Sequence, residues 1–143
     1  MKPAKVPYNQ LLDNIGHTIE AARQHAFVAV NKQLVKANWE IGRHLVEFEQ
    51  QGKERAEYGS GLLARLSKDL TIRYGKGFGR RNVLDMRRFY LAFPKWQTVS
   101  AKLSWSHFIV LLGVSDNNAR KFYEKQAILE NWSKRELERQ VGS

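Results

Sequence analysis

Proline occurs at only three positions of the 143-residue chain, 3, 7 and 94, so almost all of the backbone is free to form helices. Between these positions apolar residues recur at intervals of three and four, which is the spacing of one face of an α-helix. No segment alternates apolar and polar residues over enough length to predict a strand. The sequence therefore predicts an all-α fold.

Length and composition predict one domain. A chain of 143 residues with 43% hydrophobic content can bury a single core, and we expect a flexible tail over residues 1–7 followed by one helical domain over residues 8–141. The absence of cysteine excludes disulfides and thiolate metal sites. No run of 18 apolar residues occurs, and the first eight residues lack a signal peptide's apolar stretch. We therefore expect a soluble cytoplasmic protein with no membrane partner.

Two helices are predicted in the first third of the chain. Apolar residues at helical spacing predict a first helix from Tyr8 to Ala22. A longer helix is predicted over about residues 24–51, ended by Gly52 because glycine favours helix C-termini.

The long helix is apolar on two sides. One seam runs from Phe27 to Phe48, and a second stripe lies roughly 135° away at 100° per residue. A helix of this kind must be covered on both sides, either by its own chain or by a second copy, and the sequence leaves both alternatives open. If a second copy covers it, we expect a homodimer. The candidate dimer interface is then the second stripe, with Val28, Val35, Trp39 and Val46.

A helix-turn-helix-like unit is predicted over about residues 60–93. Ser60 is its candidate N-cap, and glycines at 75, 77 and 79 permit the positive φ of a sharp reversal. Pro94 stops the second helix. Three short C-terminal helices are then predicted from their capping residues, which are Ser104, Ser115 or Asp116, and Ser133.

The excess positive charge is concentrated in the helix-turn-helix-like unit. Residues 65–95 contain nine basic and two acidic residues, so +7 of the formal net charge of +10 lies in this window. Lysine and arginine neutralise phosphates and release their condensed counterions, so a local surplus favours a polyanionic partner. We expect duplex or branched DNA as that partner. RNA is an alternative that charge alone does not distinguish.

The geometry of DNA-binding helix-turn-helix units assigns roles to these cations. The second helix of such a unit lies in the major groove, with its N-terminal residues nearest the base edges. Groove contacts are therefore expected from Arg80, Arg81 and Arg88. Phosphate contacts are expected from Lys68, Arg73, Lys76 and Arg87. The alternative is a solvated basic face on a structural helical hairpin.

Residues for catalysis or for metal binding are not predicted. The four histidines are scattered and show no metal-ligand spacing, and His107 is expected to cap and pack a helix. The glycine turn fits neither the dinucleotide-binding nor the Walker spacing. We therefore expect no catalytic residue, no metal and no cofactor.

Four sequence blocks resemble the N-terminal domain of the YhcG-like nuclease family. The blocks are residues 76–82, 86–94, 103–108 and 130–140, and the resemblance extends over residues 9–141. Members of this family are bacterial proteins in which this domain, to which DNA binding is attributed, precedes a PD-(D/E)xK-type nuclease domain. The resemblance implies a nuclease-associated role, with the nuclease domain in cis in full-length relatives.

The chain departs from the family in its catalytic residues. A nuclease of this type needs a (D/E)-x-K triplet around a divalent metal, and the 143 residues contain none. We expect that this chain is not an enzyme and that the nuclease domain is absent from it, as an excised domain or a natural short form. The function predicted is a non-catalytic DNA-binding module that targets an associated nuclease. The alternative is a protein-interaction or oligomerisation module acting through residues 24–51.

Overall fold

The computed structural model describes residues 7–51 and 61–142. These residues form six α-helices and one short 3-10 helix, with no strand among them, which confirms the all-α prediction. The helices are α1 (Tyr8–Glu49), α2 (Leu62–Tyr74), α3 (Arg80–Ala92), α4 (Trp105–Leu112), α5 (Asn117–Leu129) and α6 (Lys134–Gly142), with the 3-10 helix at Trp96–Thr98. The predicted tail, apart from Pro7, and the predicted roles of Gly52 and Ser60 lie outside the described residues.

Residues 8–49 form one continuous helix, so the prediction of two helices was wrong. Helix α1 has 42 residues and is therefore about 63 Å long at 1.5 Å per residue. The two helices were predicted from two separate apolar patterns, over residues 8–22 and about 24–51. Residues 21–26 contain no proline or glycine, and a change in side-chain pattern alone does not interrupt backbone hydrogen bonding. The helix ends at Glu49, close to the predicted end at residue 51.

Helix α3 lies at the centre of the domain. It packs against the C-terminal third of α1 on one side and against α4 on another, and its Val83, Met86 and Phe89 are fully buried. The crossing with α1 is close at Gly42, where an added β-carbon would lie 2.0 Å from the carbonyl oxygen of Met86. The absence of a side chain at this position therefore allows the two helix backbones to approach.

The second apolar stripe of α1 is covered by the chain itself. Val35, Trp39 and Val46 are buried, and the Trp39 indole nitrogen donates a 2.7 Å hydrogen bond to the Phe93 carbonyl. Their assignment to a dimer interface was therefore wrong, because the approach of α3 at Gly42 turns this stripe inward. Val28 lies on the same stripe beyond the domain and remains 44% exposed.

The C-terminal helices begin at the predicted capping residues. The Ser104 hydroxyl accepts a hydrogen bond from the His107 amide, Asp116 accepts one from the Asn118 amide, and Ser133 accepts one from the Glu136 amide. The His107 ring contacts the Ser104 hydroxyl through Nδ1 at 2.6 Å and the Trp132 carbonyl through Nε2 at 2.8 Å. Because a carbonyl only accepts, Nε2 is the donor of that bond. The capping and packing role predicted for His107 is confirmed.

Candidate nucleic-acid interface

A glycine turn joins α2 to α3 and carries the exposed lysine Lys76. Gly75 and Gly77 have φ of +86° and +105°, which is a region that side chains disfavour, so the predicted use of glycine is confirmed at these two positions. Gly79 instead has an extended conformation with φ of −61° and forms the N-cap of α3.

Two polar side chains fix this turn to the helices on either side. The Ser67 hydroxyl of α2 donates a 2.6 Å hydrogen bond to the Phe78 carbonyl. The Asn82 amide of α3 donates a 2.6 Å bond to the Gly77 carbonyl and accepts a 2.9 Å bond from the Trp105 indole. The turn is therefore held in one position. Sequence reasoning missed both residues, and the only available signal was a small polar residue, Ser67, among the apolar positions of α2.

Four of the predicted basic residues lie on α2, in the turn or at the start of α3, and are free of ion pairs with any residue in the described ranges. Arg73 is in the last turn of α2, Lys76 is in the turn itself, and Arg80 begins α3. Lys68 lies five residues before Arg73 on α2. All four are exposed, and we call them the turn cations.

The N-terminus of α3 adds backbone donors beside the turn cations. Gly79 provides no side-chain cap, and a β-carbon added to it would meet no other part of the described structure within 4 Å. The first amides of a helix have no partner within the helix, so they are available to an anion. Positive charge and free N–H groups therefore lie together at this end of α3.

The other three predicted basic residues contact acidic groups of the same domain. Arg87 donates two hydrogen bonds to the Glu49 carboxylate, at 2.7 and 2.9 Å, and these bonds raise the pKa of Arg87. Arg88 lies 3.5 Å from the buried Asp85 carboxylate and donates a 2.9 Å bond to the Leu112 carbonyl. Arg81 is largely exposed but lies 3.6 Å from the same Asp85.

These contacts change how the charge count is interpreted. Arg87 connects α3 to the end of α1, and Arg88 connects it to the end of α4, so both have structural partners. Glu49 was not counted against the basic window because it precedes residue 65 in the sequence. The positive charge available to a ligand is therefore concentrated at the turn cations and not along the whole of α3.

No metal centre is visible in the described ranges, where no three histidine or acidic residues come close enough to hold an ion. Within the same ranges, no helix combines the length and the hydropathy that spanning a bilayer requires.

Comparisons with known proteins agree with the four sequence blocks. The chain matches the family model described as the DUF1016 N-terminal domain over residues 14–143. It is 39% identical over 168 residues to the Escherichia coli (strain K12) protein named "Putative nuclease YhcG". That match covers 95% of this chain and 45% of the relative, so the chain spans less than half of the relative's length. No solved structure matches the chain. The chain therefore belongs to the DUF1016 N-terminal domain family, as its resemblance to the YhcG-like N-terminal domain predicted.

Proposed function

We propose that this domain is a non-catalytic DNA-binding module that contacts the phosphate backbone through the turn cations and the N-terminus of α3. The observation that carries the proposal is the combination of unpaired cations with a fixed turn. Cations held close together on a rigid scaffold lose little conformational entropy when they bind phosphates. Free backbone amides at a helix N-terminus bind a phosphate oxygen with the aid of the helix dipole.

Contact with the backbone is favoured over reading of the base sequence. Of the three arginines expected in a groove, Arg88 has intramolecular partners and Arg81 lies beside the Asp85 carboxylate. Only Arg80 is both exposed and free of a described acidic neighbour. Phosphate contacts position a protein on DNA but carry no sequence information, so binding should tolerate many sequences.

The relative's name supports a nucleic-acid ligand. A nuclease acts on nucleic acid, and this chain aligns with less than half of the E. coli protein. We propose that in such longer relatives the domain brings a nuclease domain, located in cis, to DNA. Catalysis is assigned to that other domain in the proposal, because the family's nuclease needs a (D/E)-x-K triplet and these 143 residues contain none.

Equilibrium titrations of the domain with duplex DNA, with branched DNA and with RNA, each at several salt concentrations, test the proposal. The variant Arg73→Ala/Lys76→Ala/Arg80→Ala removes three turn cations. If each contacts one phosphate, the slope of log K against log salt should become shallower by roughly 2.7. The matched control Lys102→Ala/Lys121→Ala/Lys125→Ala removes the same charge from exposed positions elsewhere.

The two variants distinguish a local site from general charge attraction. Equal losses of affinity in the two variants would assign binding to net charge and overturn the turn cations as the site. Tighter binding to RNA than to either DNA would replace DNA as the ligand.

A second candidate function is a protein-interaction module. The observation that favours it is the exposed apolar side of α1, where Phe27 is 65% exposed and Val30 is 68% exposed. Self-association that is insensitive to salt, together with no retention on DNA, would favour this function over the first.

A further inference from the structure

The N-terminal part of α1 extends beyond the domain as an uncovered arm. Every residue from Tyr8 to Val30 except Gly16 is exposed, and we call this segment the arm. The first long-range hydrogen bond of α1 is made by Asn31, whose amide donates to the Leu103 carbonyl at 3.0 Å. Eight large hydrophobic side chains are nonetheless exposed on the arm by 44% to 73%: Tyr8, Leu11, Leu12, Ile15, Ile19, Phe27, Val28 and Val30.

Most of these side chains point away from the domain. At 100° per residue, the arm stripe of Tyr8, Leu12, Ile15, Ile19 and Val30 lies roughly 180° from the core-facing stripe that contains Val35 and Trp39. The elements that cover the core-facing stripe therefore do not reach the arm stripe. The exposed apolar surface of the arm stripe is therefore available to a partner from outside the described residues.

The arm stripe continues along the same side of α1 into an apolar groove. Helix α2 packs on α3 and stands away from α1, which leaves a cavity of about 700 Å³ between α1 and α2. Ile41, His44 and Phe48 line its α1 wall, while Leu66 and Leu70 contribute to its α2 wall. The groove and the arm are thus two parts of one apolar surface.

The surface between the two parts is suited to a second helix. Along this side of α1 the residues between Ile19 and Ile41 include Ala22, Ala26 and Ala37, which are small enough for close helix contact, and the full charges are Arg23 and Glu40. A mainly apolar stripe with small residues near its middle is typical of a helix that pairs with another helix.

We propose that two copies of this chain pair their α1 helices in antiparallel orientation, so that the arm of each copy fills the α1–α2 groove of the other. In a two-fold arrangement centred on α1, Leu12 of one copy lies level with residue 45 of the other, in the middle of the groove. A parallel pair would place arm against arm and leave both grooves empty. Such two-fold contacts are the commonest form of symmetric assembly.

The area of the surface agrees with a stable dimer. The five side chains of the arm stripe, which are 46% to 73% exposed, present on the order of 450 Å² of apolar surface per chain, and a standard interface buries roughly 800 Å² per partner. The groove adds further surface. The assembly does not depend on DNA binding, so it can be tested without DNA.

Sedimentation equilibrium of the full chain tests the assembly. The wild type should have twice the 16.6 kDa mass of one chain at tens of micromolar protein. Leu12→Gln/Ile19→Gln should sediment as a monomer with an intact fold, because both side chains are exposed in the single chain. The control Ala21→Gln/Val28→Gln alters the opposite side of the arm and should remain dimeric. A monomeric wild type, or loss of the dimer in the control alone, would overturn the proposal.

Disulfide formation tests the orientation, since the chain has no cysteine of its own. In a mixture of Leu12→Cys and His44→Cys chains, antiparallel pairing should give a crosslink between the two variants, because a disulfide requires α-carbons within about 7 Å. Leu12→Cys alone should stay uncrosslinked. Efficient crosslinking of Leu12→Cys to itself would show that the arms pair in parallel. It would overturn the proposal that each arm fills the groove of the other copy.

Discussion

Gly42 of α1 and Met86 of α3 mark the point where the two central helices cross. A β-carbon on Gly42 would lie 2.0 Å from the Met86 carbonyl oxygen and 3.1 Å from the Tyr90 β-carbon. Neither neighbour can move independently, since one is helix backbone and the other is attached directly to it. This crossing therefore sets the distance between α1 and α3 and, with it, the burial of Trp39.

Gly42→Ala should separate the two helices and destabilise the fold. Overpacking of this kind costs about 1–3 kcal/mol, and the backbone contact places the cost at the upper end. Gly16→Ala is the control, because an added β-carbon there meets nothing within 4 Å and alanine is the better helix former. The urea midpoint of each variant, monitored by circular dichroism, measures its stability. Equal midpoints for Gly42→Ala and the wild type would show that the helices do not cross this closely.

The Arg87–Glu49 pair should stabilise the contact between α1 and α3. Both side chains are partly buried and joined by two hydrogen bonds, and hydrogen bonds to charged groups contribute about 1.5–3 kcal/mol. Arg87→Ala should therefore lower the free energy of unfolding by a comparable amount. A double-mutant cycle with Glu49→Ala isolates the pair, and additive losses in that cycle would show that the two residues are not coupled.

Glu124 should make the stability depend on pH. Burial disfavours its carboxylate and raises its pKa, although the charges of Arg120 and Lys121 oppose this. A raised folded-state pKa means that the folded protein binds the proton more tightly, so this residue lowers stability as the pH rises through that pKa. Glu124→Gln should be more stable than the wild type at pH 7 and equal to it near pH 3. A gain in stability that is the same at both pH values would show that the effect does not come from ionisation of Glu124.

Asn82→Ala should loosen the glycine turn. The substitution removes the bond to the Gly77 carbonyl and leaves the Trp105 indole nitrogen without its partner, at a cost of about 1–3 kcal/mol. If a fixed turn matters for phosphate contact, DNA affinity should also fall, although no charge is lost. Asn118→Ala serves as the control, since its exposed side chain makes no hydrogen bond within the described residues. Unchanged stability and affinity in Asn82→Ala would count against the role of the turn.

Local chemistry explains which features the sequence predicted correctly. The caps at Ser104, Asp116 and Ser133 depend on groups two or three residues away, and the turn at Gly75 and Gly77 depends on backbone freedom. These interactions do not require knowledge of the tertiary structure. The caps and the turn could therefore be predicted from short stretches of sequence.

Long-range contacts explain which features were missed. The two stripes of α1 are similarly apolar, and only the approach of α3 at Gly42 decides which stripe is buried. Arg87 is paired with Glu49, which lies 38 residues earlier in the chain. A count of charge in a window could not detect that pairing, so the charge of Arg87 was counted without its acidic partner.

Asn82 has a further consequence because it joins a solvent-facing turn to an aromatic ring. Its side chain bonds the Gly77 carbonyl on one side and the Trp105 indole nitrogen on the other. Indole fluorescence responds to hydrogen bonding at that nitrogen, so a displacement of the turn changes the emission of Trp105. In a variant that keeps Trp105 as the only one of the four tryptophans, the emission should therefore report a displacement of the glycine turn without an attached dye.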